Sequence, residues 1–144
     1  MAGRRWRLVA WAAAAFFPLA GCSDSGDDGT RPDGGGQAEV SFADDIQPIF
    51  TASCAVGGCH GGGSTSGGLT LAAGQSHAAL VNVPAQQRPD LKRIRPVEPD
   101  SSYLYLKITG AEGVSIMPPP PSGSLPSDQI TLIRTWIENG ALDD

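Results

Sequence analysis

Two thiols and an imidazole lie within seven residues of one another near the middle of the chain. The segment reads Cys54-Ala55-Val56-Gly57-Gly58-Cys59-His60. Thiolates and imidazoles bind metals, and thiols also form covalent links. Residues of these types that lie close together therefore usually bind a metal or form a covalent bond to a cofactor or to each other. The fold of the surrounding chain must present these three side chains together, which makes this segment the strongest constraint in the sequence.

A histidine directly after the second of two cysteines is typical of a c-type heme attachment site, whose usual signature is C-x-x-C-H. The two sulfurs form thioether bonds to the heme, and the histidine binds the iron on the proximal side. Here four residues separate the thiols, so the backbone must form a bulge. Gly57 and Gly58 can adopt the positive φ values that a bulge requires. The spacing therefore predicts a covalent heme on Cys54 and Cys59, with His60 as the proximal ligand.

Two other interpretations of the cysteines stay open from these residues alone. In an oxidising compartment Cys54 and Cys59 can form a disulfide, or they can join His60 and His77 in a Cys2His2 zinc site. Structural zinc sites usually pair histidines three to five residues apart, whereas His60 and His77 are seventeen apart in this sequence. The spacing favours heme over zinc.

The third cysteine closes an N-terminal secretion signal. Arg4, Arg5 and Arg7 precede an apolar run over residues 8–19, which ends in Leu19-Ala20-Gly21-Cys22. Twelve residues rise about 18 Å as a helix and cannot span a hydrocarbon core of about 30 Å. Residues 1–21 are predicted to be a signal peptide. The Leu-Ala-Gly-Cys ending resembles the lipobox of bacterial lipoproteins, which implies cleavage before an acylated Cys22. A plain signal peptide that leaves Cys22 as a free thiol is the alternative.

Residues 22–39 are rich in Gly, Asp and Ser, and they have too few apolar side chains to fold, so they are predicted to form a flexible acidic tether. The mature protein is expected outside the cytoplasm, anchored to a membrane by lipid on Cys22 and facing the periplasm or the cell surface. Ser23 after the cysteine resembles the lipoprotein sorting pattern that favours the outer over the inner membrane.

Charge limits the partners of the mature chain. After the signal peptide it has seven basic and fifteen acidic residues. This balance argues against a nucleic-acid partner and against docking on anionic lipid, and it is compatible with a basic redox protein that acts in trans. A purely solubilising role of the charge is an equal alternative.

Residues 40–144 are enough for one small domain. Seven glycines between residues 57 and 68 and four prolines at 118–121 exclude regular structure there. Helices are predicted over 48–54 after a turn capped by Ser41, over 75–81, over 101–108 with Asp100 as cap and Gly110 at the end, and from Ser127 to Gly140. Residues 92–95 are predicted to be extended. The fold class is all-α, with short helices and long loops around one heme.

The order of these elements resembles that of class I cytochromes c. The segments Ile46-Gln-Pro-Ile-Phe50, Met117-Pro118-Pro119 and Trp136-Ile-Glu-Asn-Gly-Ala141 are similar to those of a bacterial group of cytochrome c domains. The resemblance implies that the first and last helices cross, with Phe50 near Trp136.

Met117 is the only methionine that remains after the signal peptide, and it lies in a proline-rich loop 57 residues after His60. The resemblance to cytochromes c, which pair histidine with methionine, implies that Met117 is the distal axial ligand. A methionine that fills a gap in the core is the alternative. His77 is a rival sixth ligand, and an open iron site is a third possibility. A basic cluster could contact the heme propionates or form a solvated face: Arg88, Lys92, Arg93 and Arg95.

The resemblance implies a membrane-tethered monoheme cytochrome c with one covalent heme c, acting as an electron carrier rather than an enzyme. Two alternatives remain at this stage. One is a small heme enzyme or gas sensor in which Met117 leaves the iron open. The other is a heme-free lipoprotein stapled by a disulfide or zinc.

Overall fold

Four short α-helices and long loops make up residues 39–61, 63 and 65–144, the part of the chain that a computed structural model describes. The predicted signal peptide, Cys22 and the tether up to residue 38 lie outside the described residues. The helices are α1 (Gln47–Ser53), α2 (Ser76–Leu80), α3 (Tyr103–Thr109) and α4 (Ser127–Glu138). Within the described residues β-pairing is limited to isolated bridges. The predicted all-α class is confirmed.

The N-terminal helical segment ends at the first cysteine. A π-helical turn, Phe42–Ile46, leads directly into α1, and the Ser41 hydroxyl accepts a hydrogen bond from the Asp44 N–H at 3.3 Å. Pro48 lies in the first turn of α1, where a missing N–H costs little. Because α1 stops at Ser53, Cys54 becomes its C-cap residue, and its N–H still donates to the Phe50 carbonyl at 2.9 Å. The helix therefore fixes the position of the first thiol.

Two predicted caps are wrong, and both errors arise from proline. Pro99–Ser101 forms a separate 3-10 turn, so Asp100 lies in that turn and Ser102 becomes the N-cap of α3. Pro126 is the N-cap of α4, because its φ of −56° and ψ of 148° already direct the chain into the helix, and Ser127 is the first helical residue. The predicted end of α3 is confirmed at Gly110, which adopts the left-handed conformation at φ 67°.

The start and the end of the domain meet in the core. Phe42 contacts both of the residues that were predicted to lie near each other. Its ring centroid lies 5.2 Å from that of Trp136 and 6.2 Å from that of Phe50. The last helix therefore meets the π-helical turn that precedes α1, with Phe42 rather than Phe50 in ring contact with Trp136. The crossing of the first and last helices stays a prediction. The last residue reinforces the junction, since the Asp144 carboxylate accepts a hydrogen bond from the Phe42 N–H at 2.8 Å.

The chain between α2 and α3 folds back on itself through bridges between Val81 and Ile94 and between Pro84 and Lys92. Residues 92–95, which were predicted to be extended, form isolated bridges at Lys92 and Ile94 and contain no helix. Ile94 is completely buried in the core, and its neighbour Arg93 lines a cavity. None of the helices in the described ranges combines the length and apolar composition that a bilayer span requires.

Candidate functional site

A cavity of about 770 Å³, including its open mouth, lies between α3, the ends of α1 and α2, and the loops that connect them. Most of its lining is apolar, with contributions from Leu69, Leu71, Leu80 and Ile108. Its predominantly apolar lining, with a few polar side chains, is typical of sites for a small molecule or cofactor.

Three of the four predicted heme-binding residues line this one cavity: Cys54, His60 and Met117. They come from the end of α1, the loop after it and the proline-rich loop, so the fold joins segments that are far apart in sequence. Cys59 is not among the described residues that line the cavity, although it is partly buried and directly precedes His60. Both cysteines are free thiols in this structure.

The loop between the thiols closes as a compact bulge. The His60 N–H donates to the Cys54 carbonyl at 3.2 Å, and the Cys59 N–H donates to the Val56 carbonyl at 3.1 Å. Gly58 has a φ of 84°, as predicted. Gly57, the other glycine suited to a bulge, does not adopt a positive φ. The four intervening residues are therefore accommodated without separating the two ends of the motif.

Hydrogen bonding fixes the tautomer of His60. Its Nδ1 lies 3.1 Å from the backbone carbonyl oxygen of Leu69. A carbonyl oxygen only accepts hydrogen bonds, so Nδ1 must carry the proton and Nε2 of the neutral ring keeps its lone pair. This arrangement is typical of metal-binding histidines, in which the second nitrogen donates to a backbone or carboxylate oxygen.

Met117 is held to the last turn of α3. Its N–H donates to the Lys107 carbonyl at 3.0 Å, and the Lys107 ammonium donates to the Ser115 carbonyl at 3.2 Å. Both Met117 and Lys107 line the cavity. The proline-rich loop is thus attached at two points to a helix that itself contributes to the cavity wall.

Arg93 is a buried cation on the cavity wall, with only 8% of its surface exposed. Its guanidinium donates to the carbonyls of Gly67, Gly68 and Ala79 at 2.8–3.2 Å. Burial lowers the pKa of this group from its usual value, which still leaves it charged at neutral pH. It forms no ion pair with any carboxylate in the described part of the chain. Buried charges are normally paired, so the cavity offers a place for an anionic group.

His77, the rival ligand, lies elsewhere. Its Nε2 is 2.8 Å from the Ala141 carbonyl, and its ring packs against Phe42 with centroids 5.1 Å apart. Its Nδ1 is 3.6 Å from an Asp143 carboxylate oxygen. Both nitrogens therefore face the C-terminal segment. Among the described residues, no group of three or more His, Cys, Asp or Glu side chains is arranged to hold a metal ion, so the zinc alternative has no support from the geometry.

Burial also acts on the first thiol. It raises the pKa of Cys54 to about 11, with a smaller contribution from the nearby Cys59. At neutral pH the Cys54 side chain is therefore a protonated thiol in this structure.

Residues 57–121 match the family described as Planctomycete cytochrome C. This range contains Cys59, His60 and Met117 and begins three residues after Cys54. The match supports a cytochrome c-like domain. It also supports heme binding and electron transfer as the general function, and an electron carrier rather than an enzyme. The matched range is under half of the 144-residue chain. No curated protein and no solved structure matches the sequence.

The residues that line the cavity fit a heme. The cavity presents a thiol that could form a covalent link to a heme, together with an imidazole that has a free lone pair and a thioether, the two iron donors that cytochromes c use. Arg93, which has no ion-pair partner among the described residues, suits a cofactor that carries carboxylates.

Sequence reasoning did not identify two features of the site. It grouped Arg93 with three other basic residues, because only the fold buries Arg93 while it leaves Arg88, Lys92 and Arg95 exposed. It also gave no role to Lys107, whose partners lie in a loop eight to ten residues later. Gln47 in α1 donates a hydrogen bond to the carbonyl of Leu71, which lines the cavity. This residue belongs to the segment Ile46-Gln-Pro-Ile-Phe50 noted in the sequence, but its contact with Leu71 depends on tertiary structure.

Proposed function

We propose that this protein is a membrane-tethered monoheme cytochrome c that passes single electrons between proteins outside the cytoplasm. The observation that carries the proposal is the convergence of Cys54, His60 and Met117 on one apolar cavity. The family match over residues 57–121 supports the same class of function.

In this proposal Cys54 and Cys59 hold one heme c through thioether bonds, His60 is the proximal ligand and Met117 the distal ligand. The heme supplies a one-electron iron couple. The Nδ1–H bond to Leu69 orients the imidazole and raises the basicity of Nε2. Two ligands from the chain leave the iron without a vacant position for a substrate, which favours electron transfer over catalysis.

Arg93 is proposed to pair with a heme propionate. Its planar guanidinium suits a carboxylate, and the three carbonyls that it contacts hold it on the cavity wall. The apolar lining would shield the part of the cofactor that it contacts from water.

The anchor and the location are proposals from sequence. Acylated Cys22 would hold the domain on the outer membrane through the tether of residues 22–39, and a redox protein would dock in trans. Membrane fractionation tests this part, because a Cys22→Ser variant should move from the membrane to the soluble extracytoplasmic fraction. A wild-type protein already found in the soluble fraction would contradict the anchor.

Covalent attachment tests the heme proposal. The chain is secreted in a host with a heme-attachment system, and the intact mass and the heme retained after acid-acetone extraction are measured. We expect one heme per chain, retained in the wild type and extracted from the Cys54→Ser/Cys59→Ser double variant.

A shortened loop is the control for the unusual spacing, since deletion of Gly57 and Gly58 restores C-x-x-C-H. If neither the wild type nor the shortened chain retains heme, while a cytochrome with the usual signature does, the proposal is wrong. Heme in the wild type that is fully extractable would contradict covalent attachment.

A further inference from the structure

Gln47 in α1 links three segments of the chain through its side-chain amide. Its Nε2 donates to the Leu71 carbonyl at 3.2 Å and to the Thr51 hydroxyl at 3.1 Å. Its Oε1 accepts a hydrogen bond from the hydroxyl of Ser76, the first residue of α2. Leu71 and Ser76 are buried, with 2% and 0% of their surfaces exposed. The amide is therefore the hydrogen-bond partner of polar groups on two buried residues, and its loss would leave these groups without that partner.

The strip of residues 69–71 that Gln47 contacts also holds His60, and it does so at two points. The Leu71 N–H donates to the His60 backbone carbonyl at 2.7 Å, and the Leu69 carbonyl accepts the His60 Nδ1–H at 3.1 Å. One short strip thus fixes both the main chain and the ring of this residue. Apart from its packing, the strip is fastened to α1 by the Gln47 hydrogen bond to Leu71.

We propose that Gln47 is a positioning residue for His60, acting through the strip of residues 69–71. This inference rests on the proposed function, because the orientation and basicity of the imidazole matter when Nε2 binds iron. A hydrogen bond at Nδ1 makes Nε2 a stronger donor and so stabilises the oxidised iron. If the strip loosens, the Nδ1–H bond weakens and the midpoint potential rises.

The side chain at position 47 must be an amide of this length. It donates to a carbonyl at one end and accepts from a hydroxyl at the other, which a carboxylate cannot do because it only accepts. In Gln47→Glu a carboxylate oxygen would face the Leu71 carbonyl, whereas the bond from Ser76 could persist. Gln47→Met keeps the length of the side chain and loses its hydrogen bonds to Leu71, Thr51 and Ser76.

The test uses the heme-loaded protein in its ferrous, diamagnetic form. Hydrogen exchange of the His60 ring N–H and of the Leu71 amide is followed by NMR, and the midpoint potential is measured on the same samples. We expect exchange at both sites to be at least about tenfold faster in Gln47→Glu and Gln47→Met, with a higher potential. The matched control is Thr51→Ala, which removes the exposed partner of the same amide nitrogen and should leave both exchange rates within about twofold of the wild type.

Exchange rates that remain at the wild-type value in both Gln47 variants would overturn the inference. A uniform acceleration of amides throughout the domain would also overturn it, because that result indicates a general loss of stability. If the Gln47 variants yield no folded protein, Ser76→Ala releases the opposite end of the amide. It should accelerate exchange of the His60 ring N–H several-fold, and an unchanged rate would overturn the inference. A wild-type chain without heme contradicts the proposed function instead, so the two failures are distinguishable.

Discussion

Met117 donates its backbone N–H to the carbonyl oxygen of Lys107 at 3.0 Å, so the predicted distal ligand is tied to the last turn of α3. The Lys107 side chain adds a second link, since its ammonium donates to the Ser115 carbonyl at 3.2 Å. A loop held at both points loses little conformational entropy when its sulfur binds iron, which favours ligation.

Lys107→Met should weaken the hold on this loop. It removes a charge-assisted hydrogen bond that contributes about 1 kcal/mol, so displacement of Met117 by added imidazole should become roughly fivefold easier. Titration of the heme spectrum with imidazole measures this change. The exposed Lys92 provides the control, because Lys92→Met removes the same charge without touching the loop. If the affinity for imidazole rises equally in Lys107→Met and Lys92→Met, the loss of positive charge is responsible and the contact with Ser115 is not.

Gly61 is predicted to tolerate no side chain. A Cβ at this position would lie 2.9 Å from the Cα of Ala55 and far inside van der Waals contact with its carbonyl oxygen. Gly61→Ala must therefore open the loop around the cysteines and should destabilise the protein by about 2–4 kcal/mol, with a lower yield of heme-loaded protein. Chemical denaturation measures the loss. Gly57→Ala is the control, since a Cβ there meets no atom within 4 Å. Similar stability of the two variants would contradict this account of the loop.

Removal of the buried cation should change the potential of the proposed heme. Arg93→Met leaves any propionate beside it unpaired and takes away a positive charge that disfavours oxidised iron. We expect a midpoint potential lower by on the order of 50 mV, since 59 mV corresponds to tenfold for one electron. Arg95→Met is the control, because Arg95 is exposed and pairs with Glu98 at 3.4 Å. An equal shift in both variants would show that no specific pairing with Arg93 exists.

The sequence predicted the elements whose signals are local. The proline in the first turn of α1, the glycine that ends α3 and the apolar face of α4 each act over one or two turns, so these helices were correctly predicted. The predicted caps failed where proline already set the backbone. Pro99 begins a separate turn that contains Asp100, and Pro126 takes the cap position in front of Ser127.

The parts of the site that depend on tertiary contacts could not be predicted. Nothing near Arg93 distinguishes it from Arg95 until the chain folds back and buries one of them. The same is true of His77, a candidate ligand by residue type that the fold places against Phe42 and the C-terminal segment. The cysteine and histidine spacing was informative because the chemistry itself requires those residues to be adjacent.

Val97 is strained in the native fold. It has a φ of 61° at the third position of the turn Arg95-Pro96-Val97-Glu98, where glycine is expected, and it is 63% exposed. Val97→Gly should raise the free energy of unfolding by about 0.5–1 kcal/mol, because relief of the left-handed strain exceeds the added entropy of the unfolded chain. Thermal unfolding checks this, with Val97→Ala as the control that keeps the Cβ. A Gly variant less stable than the Ala variant would refute the strain.

The most direct test of the central claim is the near-infrared sulfur-to-iron absorption band of the oxidised, heme-loaded protein. Axial ligation by His60 and Met117 predicts that the wild type shows this band, that Met117→Ala loses it and that His77→Ala keeps it. A wild-type heme protein without the band, or a band that persists in Met117→Ala, would contradict the proposed ligand pair.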